Sequence, residues 1–262
     1  MSSQLHIAEK AALAAGSIIA RNANFINKID IKHKSANNPV SSVDLACEQE
    51  IIEIIQKAYP EHSIMTEESG LLDRDPEWQW VVDPLDGTTN FIRGFPHCAV
   101  SIALKHKGLV IVGVIYDPFK NELFAAAKGE GATLNRRRIR VSDHTQIAGS
   151  MLGTGLPFWL DKNLEHDIEV LNTLLKEGVH VRRAGAAALD IAYVACGRFD
   201  GFWEFGLSPW DIAAGEIIVK EAGGLVGETN GGVKHLSSGN ILAANAKLFK
   251  TILAKISKLK SV

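Results

Sequence analysis

The chain has 262 residues, 46% of them hydrophobic, and a formal net charge of −2. That length and composition suit a substantial core in one large domain or two intimately packed halves. The near-neutral charge gives no overall basic field for nucleic acid or an anionic membrane. Cys47, Cys98 and Cys196 are odd in number, far apart and outside any C-x-x-C zinc or redox spacing, which fits a reducing compartment. No His pair sits in an H-E-x-x-H arrangement. The N-terminus lacks the long apolar core of a signal peptide, and no apolar run is long enough to span a bilayer. A cytoplasmic protein without membrane contact is expected.

Residues 5–27 place Leu5, Ala8, Ala12, Ala15 and Ile19 at helical spacing and predict a first helix. Residues 42–58 predict a second. Ser42 is its expected N-cap, Ile51, Ile54, Ile55 and Ala58 its buried stripe, and Pro60 its stop. Strands are predicted at 62–66, 78–82, 98–105, 109–117 and 121–127. Short turns such as His106-Lys107-Gly108 make the last three an antiparallel meander. Lys128-Gly129-Glu130-Gly131-Ala132 is Gly-rich but lacks the strand–turn–helix context of a dinucleotide loop, and reads as a hairpin turn. Arg136-Arg137-Arg138-Ile139-Arg140 is the densest basic run. It reads as a solvated edge that deters strand pairing, with an RNA or protein contact as the other reading. The softest boundary falls at the polar segment 142–149, dividing 1–145 from 146–262. Beyond it come a helix near 163–177, a strand at 179–182, a helix at 186–196, a strand at 201–205, a helix at 209–222, a strand near 240–244 and a helix at 246–258. This mixture argues for stacked layers of helices and sheets.

The chemistry concentrates in Trp80-Val81-Val82-Asp83-Pro84-Leu85-Asp86-Gly87-Thr88-Thr89-Asn90. An apolar strand runs into two carboxylates three residues apart, with no Lys or Arg until Arg93. Such charge at a buried strand end is costly unless a cation offsets it. Oxygen-only ligands, including the Leu85 carbonyl, suit Mg²⁺. Gly87 permits close backbone approach, and a helix beginning at Thr88 would offer N–H groups to a phosphate. Asp, Pro and Gly are also ordinary turn formers, so a surface turn remains the alternative. Two further segments add carboxylates. Ile64-Met65-Thr66-Glu67-Glu68-Ser69 ends an apolar strand in paired glutamates. Ser208-Pro209-Trp210-Asp211 opens a helix with Ser208 as N-cap and Pro209 at the first position. Taken singly, Glu67 and Glu68 read as a solvated strand end and Asp211 as a dipole-complementing cap.

Taken together, these segments resemble the inositol monophosphatase family. The resemblance rests on Glu67-Glu68-Ser69, on Asp83 to Asn90, and on Trp210-Asp211-Ile212-Ala213-Ala214-Gly215 with Glu221-Ala222-Gly223-Gly224. It extends from about residue 5 to about 255. Arg182-Arg183-Ala184-Gly185 and the segment Ala187 to Ala195 look most like the bacterial SuhB-type members. The resemblance implies the sugar-phosphatase fold, an α/β/α/β/α sandwich with mixed, largely antiparallel sheets. It implies Mg²⁺-dependent hydrolysis of myo-inositol monophosphates by a metal-activated water, with sensitivity to Li⁺. Glu67, Asp83 and the Leu85 carbonyl would hold a first Mg²⁺, Asp83, Asp86 and Asp211 a second, and Glu67 a weaker third. Thr88 would position the water, with Asp44 accepting the Thr88 hydroxyl proton and Glu68 standing behind the ligands. Gly87 and Thr88 would meet the phosphate, and Gly185, Ala187 and Glu204 the ring; Lys34 is a weaker candidate for the phosphate. A homodimer is implied. Two alternatives stay open: fructose-1,6-bisphosphatase or nucleotide phosphatase activity on the same site, and a role with transcription antitermination factors and RNA polymerase on ribosomal RNA.

Overall fold

The computed structural model describes residues 3–35, 38–156 and 164–259. The side chain of Lys34 lies outside the described residues. Among the described residues, the strands form a two-stranded ribbon, an eight-stranded sheet and a five-stranded sheet. In the larger sheet the order runs Arg137–Arg138, Gly131–Leu134, Glu122–Ala127, Leu109–Asp117, Ala99–His106, Asp75–Asp86, His62–Thr66, Gly70–Leu72. Only the pairing of His62–Thr66 with Asp75–Asp86 is parallel there. The smaller sheet is mixed: Met151–Thr154 runs parallel to both His180–Arg182 and Gly201–Glu204, while Ile241–Ala244 pairs antiparallel with Gly201–Glu204 and Leu225–Gly227.

The layering follows from strand alternation, since successive side chains point to opposite faces. Trp80 and Val82 face the helices Ser3–Asn22 and Ser42–Ala58, which contribute Ala8, Ala12, Ile19, Cys47, Ile51 and Ile55 to that core. Val81, Ala103 and Ile115 face the other way, onto the helices Ala187–Ala195 and Pro209–Glu221. Those two helices are sandwiched between the sheets, because Phe202, Ile241 and Ala243 of the smaller sheet close the same core. Trp203, Leu242 and Ala244 point outward onto Leu164–Leu175 and Ala246–Ile256. The result is the α/β/α/β/α sandwich. The middle layer packs closely: a Cβ on Gly215 would lie 2.4 Å from Ile191 Cγ2. Helix Pro209–Glu221 accordingly reads Ala213-Ala214-Gly215 where it meets its neighbours.

Several sequence expectations are corrected. The first helix stops at Asn22, and a 3₁₀ turn covers Ala23–Lys28, instead of one helix to 27. The second helix is capped by Ser41, not Ser42. Ser41 has extended backbone, and its Oγ accepts from the Val43 and Asp44 N–H groups, which Ser42 cannot do as the first helical residue. The strand expected at 78–82 runs on through Asp86. Asp83 pairs with Ser101 and Asp86 with Ala99, so three steps oppose two. The Asp83–Asp86 segment is therefore a bulged strand rather than a turn, and Pro84 sits in the bulge, where a proline is tolerated within a sheet. The hairpin reading of 128–132 holds, with Gly129 and Gly131 at φ of 79° and 80°. The arginine run supplies the edge strand Arg137–Arg138.

A candidate metal centre at a bulged strand end

The bulge sets the site. It leaves Asp83 and Asp86 at the buried end of strand Asp75–Asp86, and Asp211 arrives from the first turn of helix Pro209–Glu221. Carboxylate oxygens of Asp83, Asp86 and Asp211 lie within 4.8 Å of one another. Each is oriented by a backbone N–H: Leu85 to Asp83 Oδ1 at 3.0 Å, Ala188 to Asp86 Oδ2 at 2.8 Å, and Ser208 to Asp211 Oδ2 at 2.7 Å. Burial first, then repulsion from neighbouring carboxylates, raises all three. Asp83 is held well above the usual carboxylate range by burial and by Glu67, Asp86 and Asp211, and Asp86 by burial and Asp211. Burial carries Asp211 up to about 7, with the Ser208 N–H opposing and Glu67 adding to the rise. Among the described residues no ion pair to a basic side chain offsets these three carboxylates, and a hard divalent cation fits that donor set.

Glu67 stands beside this trio, near enough for its charge to raise Asp44, Asp83, Asp86 and Asp211. Its carboxylate is not among the atoms within 4.8 Å of one another. The turn carrying it is held by Glu48. Glu48 is 2% exposed, accepts from the Glu68 N–H at 3.0 Å and also from the Ser69 hydroxyl. Sequence reading missed Glu48. Its signal was present: Val43, Asp44, Cys47, Glu48, Ile51 and Ile55 form one buried stripe, so two acids occupy core positions.

Asp44 is fully buried. Its Oδ2 accepts from the Ser41 N–H at 2.9 Å and the Ser41 hydroxyl at 2.5 Å. Its Oδ1 accepts from Thr88 Oγ1 at 2.7 Å, and the Leu85 carbonyl lies 3.1 Å from that hydroxyl. Burial raises the Asp44 carboxyl, opposed by these hydrogen bonds. Thr88 opens helix Thr88–Ile92 behind Gly87, whose φ of 89° and close approach to the His97 carbonyl suit glycine. Asn90 ties this turn to the smaller half, donating to the His97 and Ala184 carbonyls at 2.8 Å each.

A pocket of about 130 Å³ opens from the cluster. Asp86 and Asp211 stand in its wall with Gly185, Ala187 and Glu204, so residues from distant segments share one cavity. Glu204 ends strand Gly201–Glu204. Burial, with Asp211, Asp190 and Asp86, pushes its carboxyl well up, while Arg183 opposes. Gly155 makes room for it, since a Cβ there would run into Glu204 Oε1. Arg183, Thr154 and Asp190 also line the pocket and were not singled out from sequence. Glu221, by contrast, is structural: its two oxygens accept from the Gly129 and Gly131 N–H groups, both at 2.8 Å.

A carboxylate cluster that could hold a cation, opening on a small pocket lined by further acids and Arg183, suits anionic, hydroxyl-bearing ligands. The family model "Inositol monophosphatase family" matches residues 1–261, and the chain belongs to that family. It is 49% identical over 257 residues to "Nus factor SuhB" of Pasteurella multocida, covering 98% of this chain and 96% of the relative. It superposes with a TM-score of 0.95 on the extragenic suppressor protein SuhB of Bartonella henselae, at 38% identity and covering 98% and 99% of the two chains. The inositol monophosphatase of Anabaena (Nostoc) gives a TM-score of 0.87 at 40% identity, covering 99% and 97%. Among the described residues no helix is long and apolar enough to cross a membrane.

Proposed function

We propose that the protein is a Mg²⁺-dependent phosphatase of myo-inositol monophosphates. One observation carries the reading: Asp86 and Asp211 of the acidic cluster share a pocket with Glu204, and the Thr88–Asp44 hydrogen bond stands beside that cluster. Glu67, Asp83 and the Leu85 carbonyl hold one ion in this proposal, Asp83, Asp86 and Asp211 a second, and Glu67 a weaker third. Such ions neutralise an ester phosphate and lower the pKa of a bound water. The chain's own residues then place the reactants. Thr88 commits its proton to Asp44, so its oxygen accepts from a water and fixes the direction of attack. Gly87 and Thr88 begin a helix whose N–H groups meet phosphate oxygens. Gly185 and Ala187 line the ring side, and Glu204 accepts from ring hydroxyls. Glu68 stays behind the ligands, its N–H held by Glu48. The pocket draws on both 1–145 and 146–262, which supports treating the two halves as one catalytic unit. Li⁺ inhibition, a homodimer and a cytoplasmic location belong to the same proposal. Phosphate release should be measured with and without Mg²⁺ on inositol, fructose and nucleotide phosphates. Preference for fructose bisphosphate or a nucleotide would overturn the choice of alcohol.

The relatives' name favours a second reading, in which the protein also acts with the transcription antitermination machinery and RNA polymerase on ribosomal RNA. The intact carboxylate set favours the enzyme, and the two roles are compatible. A transcription assay through a ribosomal RNA leader, with and without the protein, tests it; unchanged readthrough would remove it.

A further inference from the structure

We propose that Asp190, steadied by His97, is a second carboxylate that reads the hydroxyl groups of a polyol ring and sets specificity alongside Glu204. The inference rests on the inositol phosphatase reading above and assigns that pocket a determinant beyond Gly185, Ala187 and Glu204.

Asp190 occupies a position that an apolar residue would fill more cheaply. It lies in Ala187–Ala195, every residue of which is buried, and is itself 1% exposed. A buried carboxylate is costly unless it has partners. Asp190 Oδ1 lies 3.4 Å from His97 Nε2, yet neither atom completes a hydrogen bond among the described residues. His97 is also buried, with the edge of Tyr193 set against it at 5.9 Å between ring centroids. Its carbonyl accepts from Asn90. The pair is thus fixed in place but incompletely satisfied, and Asp190 forms part of the pocket wall with Glu204.

The helix that carries Asp190 also faces the ligands. Its Ala188 N–H holds Asp86 Oδ2 at 2.8 Å. A substrate with its phosphate at the acidic cluster therefore meets Asp190 and Glu204 beyond it. A carboxyl group keeps an acceptor oxygen in either protonation state, and ring hydroxyls donate to it. A site built to bond a hydroxyl rejects an analogue lacking it more strongly than an apolar site rejects an added group. Two carboxylates in one wall select a ring with several hydroxyls over a simple ester.

The test compares Asp190→Asn with wild type on an inositol monophosphate and on a simple aryl phosphate. On the inositol ester kcat/KM should fall about tenfold, mostly through KM, as for loss of one charge-assisted hydrogen bond. The aryl ester should change less than about twofold, because it has no ring hydroxyl to lose. His97→Gln leaves the carboxylate in place and should give a smaller loss of the same pattern, which keeps the question open to measurement if Asp190→Asn folds poorly. Equal losses on both esters, or no loss on either, overturns the inference alone. A wild-type enzyme that releases no phosphate from inositol esters overturns the activity, and the inference with it.

Discussion

The Thr88 hydroxyl donates to Asp44 Oδ1 at 2.7 Å across 44 positions of sequence, while the other Asp44 oxygen closes the Ser41 capping box. One carboxylate therefore anchors a helix start and orients a hydroxyl beside the acidic cluster. The two functions separate by mutation. Thr88→Val removes the hydroxyl and should lower kcat by roughly 10²-fold, the lower end for a positioned proton-transfer group, with little change in melting temperature. Asp44→Asn should lower kcat and also destabilise by about 1 kcal/mol, because its amide cannot accept from both Ser41 and Thr88. Steady-state kinetics with thermal melts would check both. A Thr88→Val enzyme of wild-type rate removes Thr88 from the proposed chemistry.

Chelation should abolish activity, and Mg²⁺ should restore it. Asp86→Asn removes a charge at nearly constant volume and should cost at least ~10²-fold in kcat, as for loss of one key electrostatic group. Full turnover in excess chelator would sink the metal reading.

The apo protein should lose stability as pH rises. Asp211 has a folded-state value of about 7 against an ordinary carboxylate value of about 3.9, so folding favours its protonated form. That contribution is complete below about pH 4 and disappears as the pH passes through about 7. Asp83 and Asp86 shift in the same direction. Melting in chelator should therefore fall from pH 5 to pH 8, by roughly several degrees. Saturating Mg²⁺ should flatten the slope, since the cation favours the ionised carboxylates. A chelated protein whose melting temperature rises over that range contradicts the upward shift of these carboxyls.

Glu48→Gln leaves one acceptor where two donors converge. The Glu67–Ser69 turn should loosen, raising the Mg²⁺ concentration for half-maximal effect by about tenfold, as for a lost outer hydrogen bond at a metal site. Calorimetric Mg²⁺ titration checks this independently of turnover. Unchanged affinity would leave Glu48 a purely structural acid.

Glu204→Gln keeps the shape and removes the charge-assisted acceptor. Its kcat/KM on inositol monophosphate should drop at least about tenfold while an aryl phosphate is nearly untouched. A common loss on both esters would move Glu204 to the fold or the acidic cluster.

Much of the architecture could be read in advance because periodicity is local. Trp80-Val81-Val82 alternates between two cores, and the Ala and Ile positions of the first two helices repeat at helical spacing. Ser208-Pro209-Trp210-Asp211 carries its helix start in four residues. The short strands Gly70–Leu72, Met151–Thr154 and Leu225–Gly227 escaped, while the equally short His180–Arg182, Gly201–Glu204 and Ile241–Ala244 were expected, because three or four residues carry too little pattern to decide the matter on their own. The Asp83–Asp86 bulge escaped as well, because Pro and Gly beside two acids also describe a turn. Only pairing with Ala99–His106 decides for strand.

By itself the sequence determined which groups carry charge, where helices begin and which residue types could meet a cation. Tertiary structure alone decided which of them meet. Asp211 comes within 4.8 Å of Asp83 and Asp86 because a helix start crosses a strand end. Glu204 and Asp190 share one pocket because the middle helices lie between two sheets. Glu48 and His97 gained their partners by the same packing, 20 and 93 positions away in the chain. A local pattern fixes the face on which a side chain lies. The field that raises Asp211 to about 7 is a sum over neighbours that only the folded chain assembles.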